Sequence, residues 1–316
     1  MKKLAYYIGI LVCTSIFASS CIKEDLSSCP ERFVIDGLVV PHFVIVPVAG
    51  SNPAIVDDSL YTGQVYVYDE QGNFVATYQI PGRPQLNKTY TPDWGLPAGN
   101  YTYATWLNNN QSFQVDPSVV GQSVQSQTLL QLIIPQTKVV NNTGNIPFLC
   151  YGHLNNEYLD STKSNLITIP VMQYTNRINL KVTGLSNTPG SDYTFSIRDN
   201  NESYGFDGAF ASTDYFTYST TNQANGDVLN ASLNVLKLAG NRPNPTVVIT
   251  NNTTGETFSA GLIQLILASN PNNDFDKTHV YNITMTNPFG SEMDIPFTIT
   301  INDWIVDQSN VELTIE

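Results

Sequence analysis

The chain has 316 residues, a length that accommodates about two ordinary domains, and a formal net charge of −13 with only 13% charged residues. A balance this acidic, with no basic cluster, excludes recognition of nucleic acid phosphates. Abundant Asn, Thr, Ser, Tyr and Gly point instead to an exported, strand-rich protein.

Chain order begins with an export signal. Lys2 and Lys3 precede an apolar run from Leu4 to Phe17, and Ala18-Ser19-Ser20 lead into Cys21. The apolar run is shorter than the roughly 20 residues that a membrane-spanning helix needs, and a small-residue cleavage site follows it. Small residues directly before a cysteine resemble the lipobox of bacterial lipoproteins, in which the cysteine is diacylated and becomes the mature N terminus. On that reading residues 1–20 are removed and Cys21 carries lipid at about 0.8 kcal/mol per buried methylene. Residues 21–32 then form a lipidated linker. Its Ile22-Lys23-Glu24-Asp25 resembles the signal that sends lipoproteins of Bacteroidetes-type bacteria to the outer surface. The signal carries two Lys and no acids, so the mature 296 residues hold 12 basic side chains against 27 acidic, or −15.

Cys13 leaves with the signal and Cys21 is assigned to lipid, which leaves Cys29 and Cys150. In an oxidising compartment these two can close a disulfide.

From Phe33 to Val48, β-branched and aromatic runs broken at Gly37 and Pro41 predict one long or two short strands, with an edge or bulge at Pro41. Gln64–Asp69 and Asn73–Tyr78 alternate with period two around Asp69-Glu-Gln-Gly72 and predict a hairpin. Leu96-Pro-Ala-Gly-Asn-Tyr101 predicts a turn, with positive φ supplied by Gly99, into an alternating strand to Leu107. Thr128–Ile134 and Phe148–Tyr151 add strands. About seven short strands precede a polar stretch, Leu154–Ser164, taken as the boundary between an N-terminal domain (33–160) and a C-terminal one (161–316).

The second half is patterned in the same way. Leu166–Met172, Arg177–Leu185, Tyr193–Arg198, Thr246–Thr250, Glu256–Ala260, Val280–Thr286, Ile295–Ile305 and Val311–Ile315 all read as strands. Phe258, Leu262, Leu265 and Ile266 recur at helical spacing and predict one short helix to about Ala268, its apolar stripe belonging to the core. The expected architecture is all-β: two tandem antiparallel sandwiches with at most one or two short helices.

Signatures of catalysis are missing. There is no G-x-S-x-G, H-E-x-x-H, Walker A or G-x-G-x-x-G pattern, so neither enzyme activity, nor a cofactor, nor a metal is expected. His42, His153 and His279 lie in or beside strands and read as surface or satisfied core residues. The carboxylates at Asp57-Asp58, at Asp199, Glu202 and Asp207, and at Asp274 and Asp276 lack the spacing of a calcium loop. Trp106 and Trp304 sit inside strand patterns, where packing is the expected role, whereas Trp94 lies outside them. Asp58-Ser59-Leu60 and Asp160-Ser161-Thr162 resemble O-glycosylation sites of Bacteroidetes secreted proteins.

Cys21 to Pro30, Val65-Tyr-Val-Tyr-Asp-Glu-Gln-Gly72, Leu96-Pro-Ala-Gly-Asn-Tyr101 with Ala104-Thr-Trp106, and Ile301-Asn-Asp-Trp304 together resemble the FimB-type fimbrial anchor lipoproteins, fimbrillin-like pilus proteins of Bacteroidetes. The resemblance implies two transthyretin-like β-sandwiches and a lipoprotein that fixes the base of a fimbria to the outer membrane. In such pili, stalk subunits lose an N-terminal strand to a protease that cuts after Arg, and the opened groove takes a C-terminal strand from a neighbour. An anchor of this kind keeps its N-terminal strand, here Phe33–Val48. It offers about Asn310–Glu316, in which Val311, Leu313 and Ile315 alternate with polar residues. Arg32 marks the bond whose cleavage makes the chain a stalk or tip subunit instead. A second alternative is a glycan-binding surface lipoprotein, with ligands on host or bacterial surfaces.

Overall fold

The computed structural model describes residues 34–35, 37–116, 119–141, 146–185, 192–211, 214–242, 245–289 and 296–315. The signal, Cys21, Cys29 and Arg32 therefore lie outside the described residues.

Short strands β1 (Val34–Ile35) and β2 (Leu38–Val39) form a hairpin across Gly37, whose φ of 81° suits glycine, and lead into β3 (Pro41–Pro47). The first half continues with β4 (Gly63–Asp69), β5 (Phe74–Gln79), β6 (Thr89–Tyr90), β7 (Gly99–Leu107), β8 (Phe113–Val115), β9 (Leu129–Leu132), β10 (Val139–Asn141), β11 (Cys150–Leu159) and β12 (Asn165–Gln173). The second half holds β13 (Thr175–Thr183), β14 (Asp192–Asp199), β15 (Ser203–Gly205), β16 (Phe216–Gln223), β17 (Leu229–Leu236), β18 (Thr246–Asn251) and β19 (Thr257–Gly261). Helix α1 (Leu262–Ser269) follows, then β20 (Val280–Thr286), β21 (Thr298–Ile301), β22 (Trp304–Ile305) and β23 (Leu313–Ile315). The chain is all-β apart from one short α-helix among the described residues, as its patterning implies. Phe258, however, ends up on β19 rather than in the helix.

A seven-stranded sheet, β5-β4-β7-β11-β12-β3-β6, organises the first half. Alternation buries both of its faces. Val65, Val67, Tyr103 and Leu107 point to one side and meet Ile55, Leu60, Ile80 and Leu96 from the connecting segments and Tyr90 of β6. Tyr66, Tyr68, Ala104 and Trp106 point to the other and meet the three-stranded sheet β15-β9-β8. Trp106 is fully buried there, 4.6 Å from the Tyr151 ring and 5.5 Å, edge-on, from Tyr174.

The second half is a sandwich of the six-stranded sheet β10-β16-β14-β18-β19-β23 and the five-stranded sheet β17-β13-β20-β21-β22. Ile178, Leu180 and Val182 of β13 face Phe195, Ile197 and Tyr218 of the opposite sheet within one core. On β13 the alternate residues Arg177 and Lys181 are exposed. Helix α1 closes this core with Leu262, Leu265 and Ile266.

Several details depart from the sequence reading. Only the second half of Leu154–Ser164 is a loop: β11 runs to Leu159 through a bulge at Leu154–Glu157, with Asn156 at φ 61°, and residues 160–164 turn the chain into β12. The following strand, β12, belongs to the first sheet, antiparallel to β11 and parallel to β3 over seven residue pairs, so a division at 160/161 does not follow the hydrogen bonding. The halves also exchange strands, since β10 pairs with β16 and β15 with β9. Three pairings are parallel, β10 with β16, β12 with β3 and β13 with β20. Gly99 opens β7 without positive φ; the Leu96–Tyr101 turn is held by Tyr101 Oη donating to the Pro97 carbonyl at 3.0 Å. Pro41 is the first residue of β3, where a strand tolerates its missing N–H. β3 is an inner strand, although β6 pairs with it only at Phe43 and Val44.

Candidate functional site at the C-terminal edge of the sandwich

The last fourteen described residues trace the open edge of the second sandwich. Asn302 and Asp303 both adopt positive φ, 48° and 68°, which makes a two-residue hairpin turn between β21 and β22. β22 is only two residues long and is the outermost strand of its sheet. Beyond it Val306 returns to the core, its N–H donating to Ile299 at 2.9 Å. The carboxylate of Asp307 accepts from the Ser309 N–H at 3.1 Å, starting a single 3₁₀ turn over Gln308–Asn310. The Ser309 hydroxyl first, and then that backbone bond, hold the Asp307 carboxyl below the usual range. The chain has by then crossed to the other sheet, where β23 becomes its outermost strand.

β23 is attached lightly. It pairs with β19 at three positions, Ala260 with Leu313, Ser259 with Thr314 and Phe258 with Ile315. Val311 and Leu313 pack half-buried against the core while Glu312 and Thr314 face solvent, the alternation expected of an inserted strand. Ile315 nevertheless remains 55% exposed. The outer side of this edge is a shallow polar groove lined by Thr246, Ser259, Gln264, Glu312 and Thr314.

The N-terminal strand is held quite differently. Val39, Val40, Phe43 and Ile45 are fully buried, and β3 lies between β12 and β6. Each such side chain contributes about 1.5–3 kcal/mol by burial, so the four together approach the whole stability of a typical domain, about 5–15 kcal/mol. Cleavage after Arg32 would leave these residues in the first core, on the C-terminal side of the cut, and would sever only their link to Cys21.

Cys150 is fully buried on β11 among the apolar side chains of that same core, and burial pushes its thiol pKa well up. Ser59 is half-buried, its hydroxyl donating to the Val56 carbonyl at 2.6 Å, whereas Ser161 is exposed in a tight turn. Trp94 is half-buried against the first core, 6.4 Å from Phe43.

Most of the carboxylates and histidines that the sequence singles out make structural hydrogen bonds and ion pairs. Asp199 is buried and receives Arg242 Nη2 at 3.1 Å; burial raises its pKa, opposed by the guanidinium. Arg242 also donates to Asn200 at 2.9 Å and lies 3.6 Å over the Phe210 ring. Asp207 accepts from the Ala209 N–H, and Asp274 and Asp276 pair with Lys277 and Lys237. His42 bonds Thr91 at 2.8 Å and His153 bonds Gln125 at 2.8 Å. His279 departs from the satisfied-core expectation: it is fully buried with neither ring nitrogen bonded to protein, and desolvation, with Lys237 nearby, lowers its pKa to about 4. Among the described residues no three metal-ligating side chains converge.

Trp304 overturns its assignment to the core. It is 66% exposed and Ile305 is 77% exposed, because the Asn302-Asp303 turn returns the chain as a two-residue edge strand that nothing covers. Asn-Asp between Ile301 and Trp304 is the local signal for that turn; the exposure itself has no local signal.

Comparison with known proteins places this edge in context. The sequence model of the fimbrillin-A associated anchor proteins Mfa1 and Mfa2 matches residues 44–310. The minor fimbrium anchoring subunit Mfa2 of Porphyromonas gingivalis is 26% identical over 274 residues, 79% of each chain. The solved structure of the fimbrial anchor protein Mfa2 from that organism superposes with a TM-score of 0.68 at 21% identity, covering 84% of this chain and 98% of that one. A solved structure from Bacteroides thetaiotaomicron superposes equally well, with a TM-score of 0.68 at 18% identity over 84% of this chain and 96% of the other.

Proposed function

Because this chain belongs to the fimbrillin-A associated anchor proteins, we propose that it is an outer-membrane lipoprotein that tethers the base of a fimbria, with lipid on Cys21 and its C-terminal strand inserted into the first stalk subunit. It acts as a structural protein, without catalysis. The observation that carries this reading is the contrast between the two ends: β3 is built into the first core, whereas β23 is a three-residue edge strand with Ile315 still 55% exposed. A strand held that lightly exchanges its ladder bonds for equivalent ones in a neighbour at little cost, and Val311, Leu313 and Ile315 then fill pockets that they only half fill at home. The tether further requires an intact Arg32–Phe33 bond, because the deeply held β3 is fixed to the membrane only while residues 33–48 stay continuous with Cys21. A Cys29–Cys150 disulfide, if formed, reinforces that continuity from within the first core.

The test is the covalent state of the protein isolated together with its fimbriae. Intact mass should give a chain that begins at lipid-modified Cys21 and is unbroken at Arg32. A mature N terminus at Phe33 would make it a stalk or tip subunit.

A further inference from the structure

Trp304 and Ile305 form an exposed apolar pair that the fold itself does not use. In the antiparallel pair β21–β22, Trp304 lies opposite Ile301 and Ile305 opposite Thr300. Directly paired residues share a face. Trp304 therefore lies on the inward face, beside the buried Ile301, yet at the rim where the sandwich ends, and Ile305 lies on the outward one. The outer side of β22 carries no partner strand among the described residues. An unpaired strand edge flanked by a solvated indole is costly to leave open and characteristic of a docking site.

The position of this edge says what covers it. Val311 lies six residues after Ile305, and a chain of that length spans at most about 20 Å. Any subunit that takes the C-terminal strand is thereby brought against β22. Charge adds a second constraint. From Thr278 to Glu316 the sequence holds six acidic residues and no Lys or Arg, and Asp303 and Asp307 flank the pair along the chain.

We propose that the Trp304–Ile305 edge is a docking face for the fimbrial subunit that receives the C-terminal strand, which meets it with an apolar pocket for the indole and basic side chains around that pocket. The inference rests on the strand-donor reading above. Docking at β22 holds the partner's groove within reach while β23 leaves β19, so the edge acts before the strand is exchanged and remains covered afterwards.

The experiment places photoreactive benzoylphenylalanine at position 304, at 315, or at exposed Leu166 as a control, in full-length protein in fimbriated cells. Position 304 should crosslink to the stalk subunit and the Leu166 control should not, and deleting residues 311–316, which removes the exchanged strand but keeps β22, should reduce the 304 adduct without abolishing it. Trp304→Ser with Ile305→Ser should lower the stalk protein retained on cells tenfold or more while leaving the melting temperature of the purified chain unchanged, since neither side chain is buried. Crosslinking at 315 without crosslinking at 304, or unchanged retention in the double variant, overturns the docking face and leaves strand donation standing. Absence of adducts at both positions on cells that keep their fimbriae overturns both. An adduct at 304 to a second copy of this chain overturns the proposed partner.

Discussion

Truncation after Asn310 separates the two strand roles most sharply. Val311 and Leu313 are half-buried, and full burial of such side chains gives about 1.5–3 kcal/mol, so they contribute about 1 kcal/mol each and the more exposed Ile315 less. Pairing at three positions along β19 adds a few hydrogen bonds at a net 0.5–1.5 kcal/mol each, about 3 kcal/mol in all. Against this, ordering residues 311–315 costs roughly 1 kcal/mol or more per residue, about 5 kcal/mol. The balance is close to zero, and the truncated protein should lose less than about 2 kcal/mol. Phe43→Ala on β3, by contrast, removes a fully buried ring that lies 5.7 Å from Tyr103, and should cost about 3–5 kcal/mol. Urea denaturation of the soluble Cys21→Ser chain, with midpoints converted through a shared slope, measures both. A truncation as damaging as Phe43→Ala would show that β23 is a core strand, and exchange of it would no longer be cheap.

Other consequences follow from the same geometry. A Cβ at Gly152 would lie 2.6 Å from the Pro170 carbonyl and 2.8 Å from Thr105 Cγ2, between β12 and β7, so Gly152→Ala should destabilise by about 1–3 kcal/mol or more and lower the melting temperature. His279 is kept neutral in the folded state, with its pKa near 4 against 6.5 when unfolded. Its contribution is complete above pH 6.5 and is lost as the pH falls toward 4, because only the unfolded chain takes up the proton. Stability should drop by up to about 3 kcal/mol across that window, and His279→Gln should flatten the profile. Cys150 should resist thiol reagents in the folded protein, since it is fully buried with a raised pKa. In denaturant without reductant it should still resist labelling if bridged to Cys29, whereas rapid labelling would rule the bridge out.

What was legible in the sequence was whatever depends on near neighbours. The β4–β5 hairpin announces itself through alternation and through Asp69, whose carboxylate receives the N–H groups of Gln71 and Asn73 while Gly72 takes a φ of 80°. Helix α1 shows through the spacing of Leu262, Leu265 and Ile266, all of them buried. Hidden from it was pairing over long sequence separation. Leu166–Met172 reads as a strand, but nothing local tells that it pairs in parallel with residues some 124 positions earlier, Asn165 with Pro41, and so belongs to the first sheet. The same limit hid the exposure of Trp304: its pattern is that of a core strand, and only the width of the sheet decides that β22 is the outermost strand. The Asp199–Arg242 pair likewise joins residues 43 positions apart. At the donor strand, alternation of Val311, Leu313 and Ile315 was readable, whereas the shallow burial that makes it exchangeable was not.

The tether itself is tested most directly by dividing fimbrial protein between cells and medium in strains carrying native Cys21 or Cys21→Ala. If the chain is the anchor, the Cys21→Ala cells still make fimbriae but shed them, and stalk protein moves into the medium. Fimbriae of native length that stay on Cys21→Ala cells would contradict the anchor function.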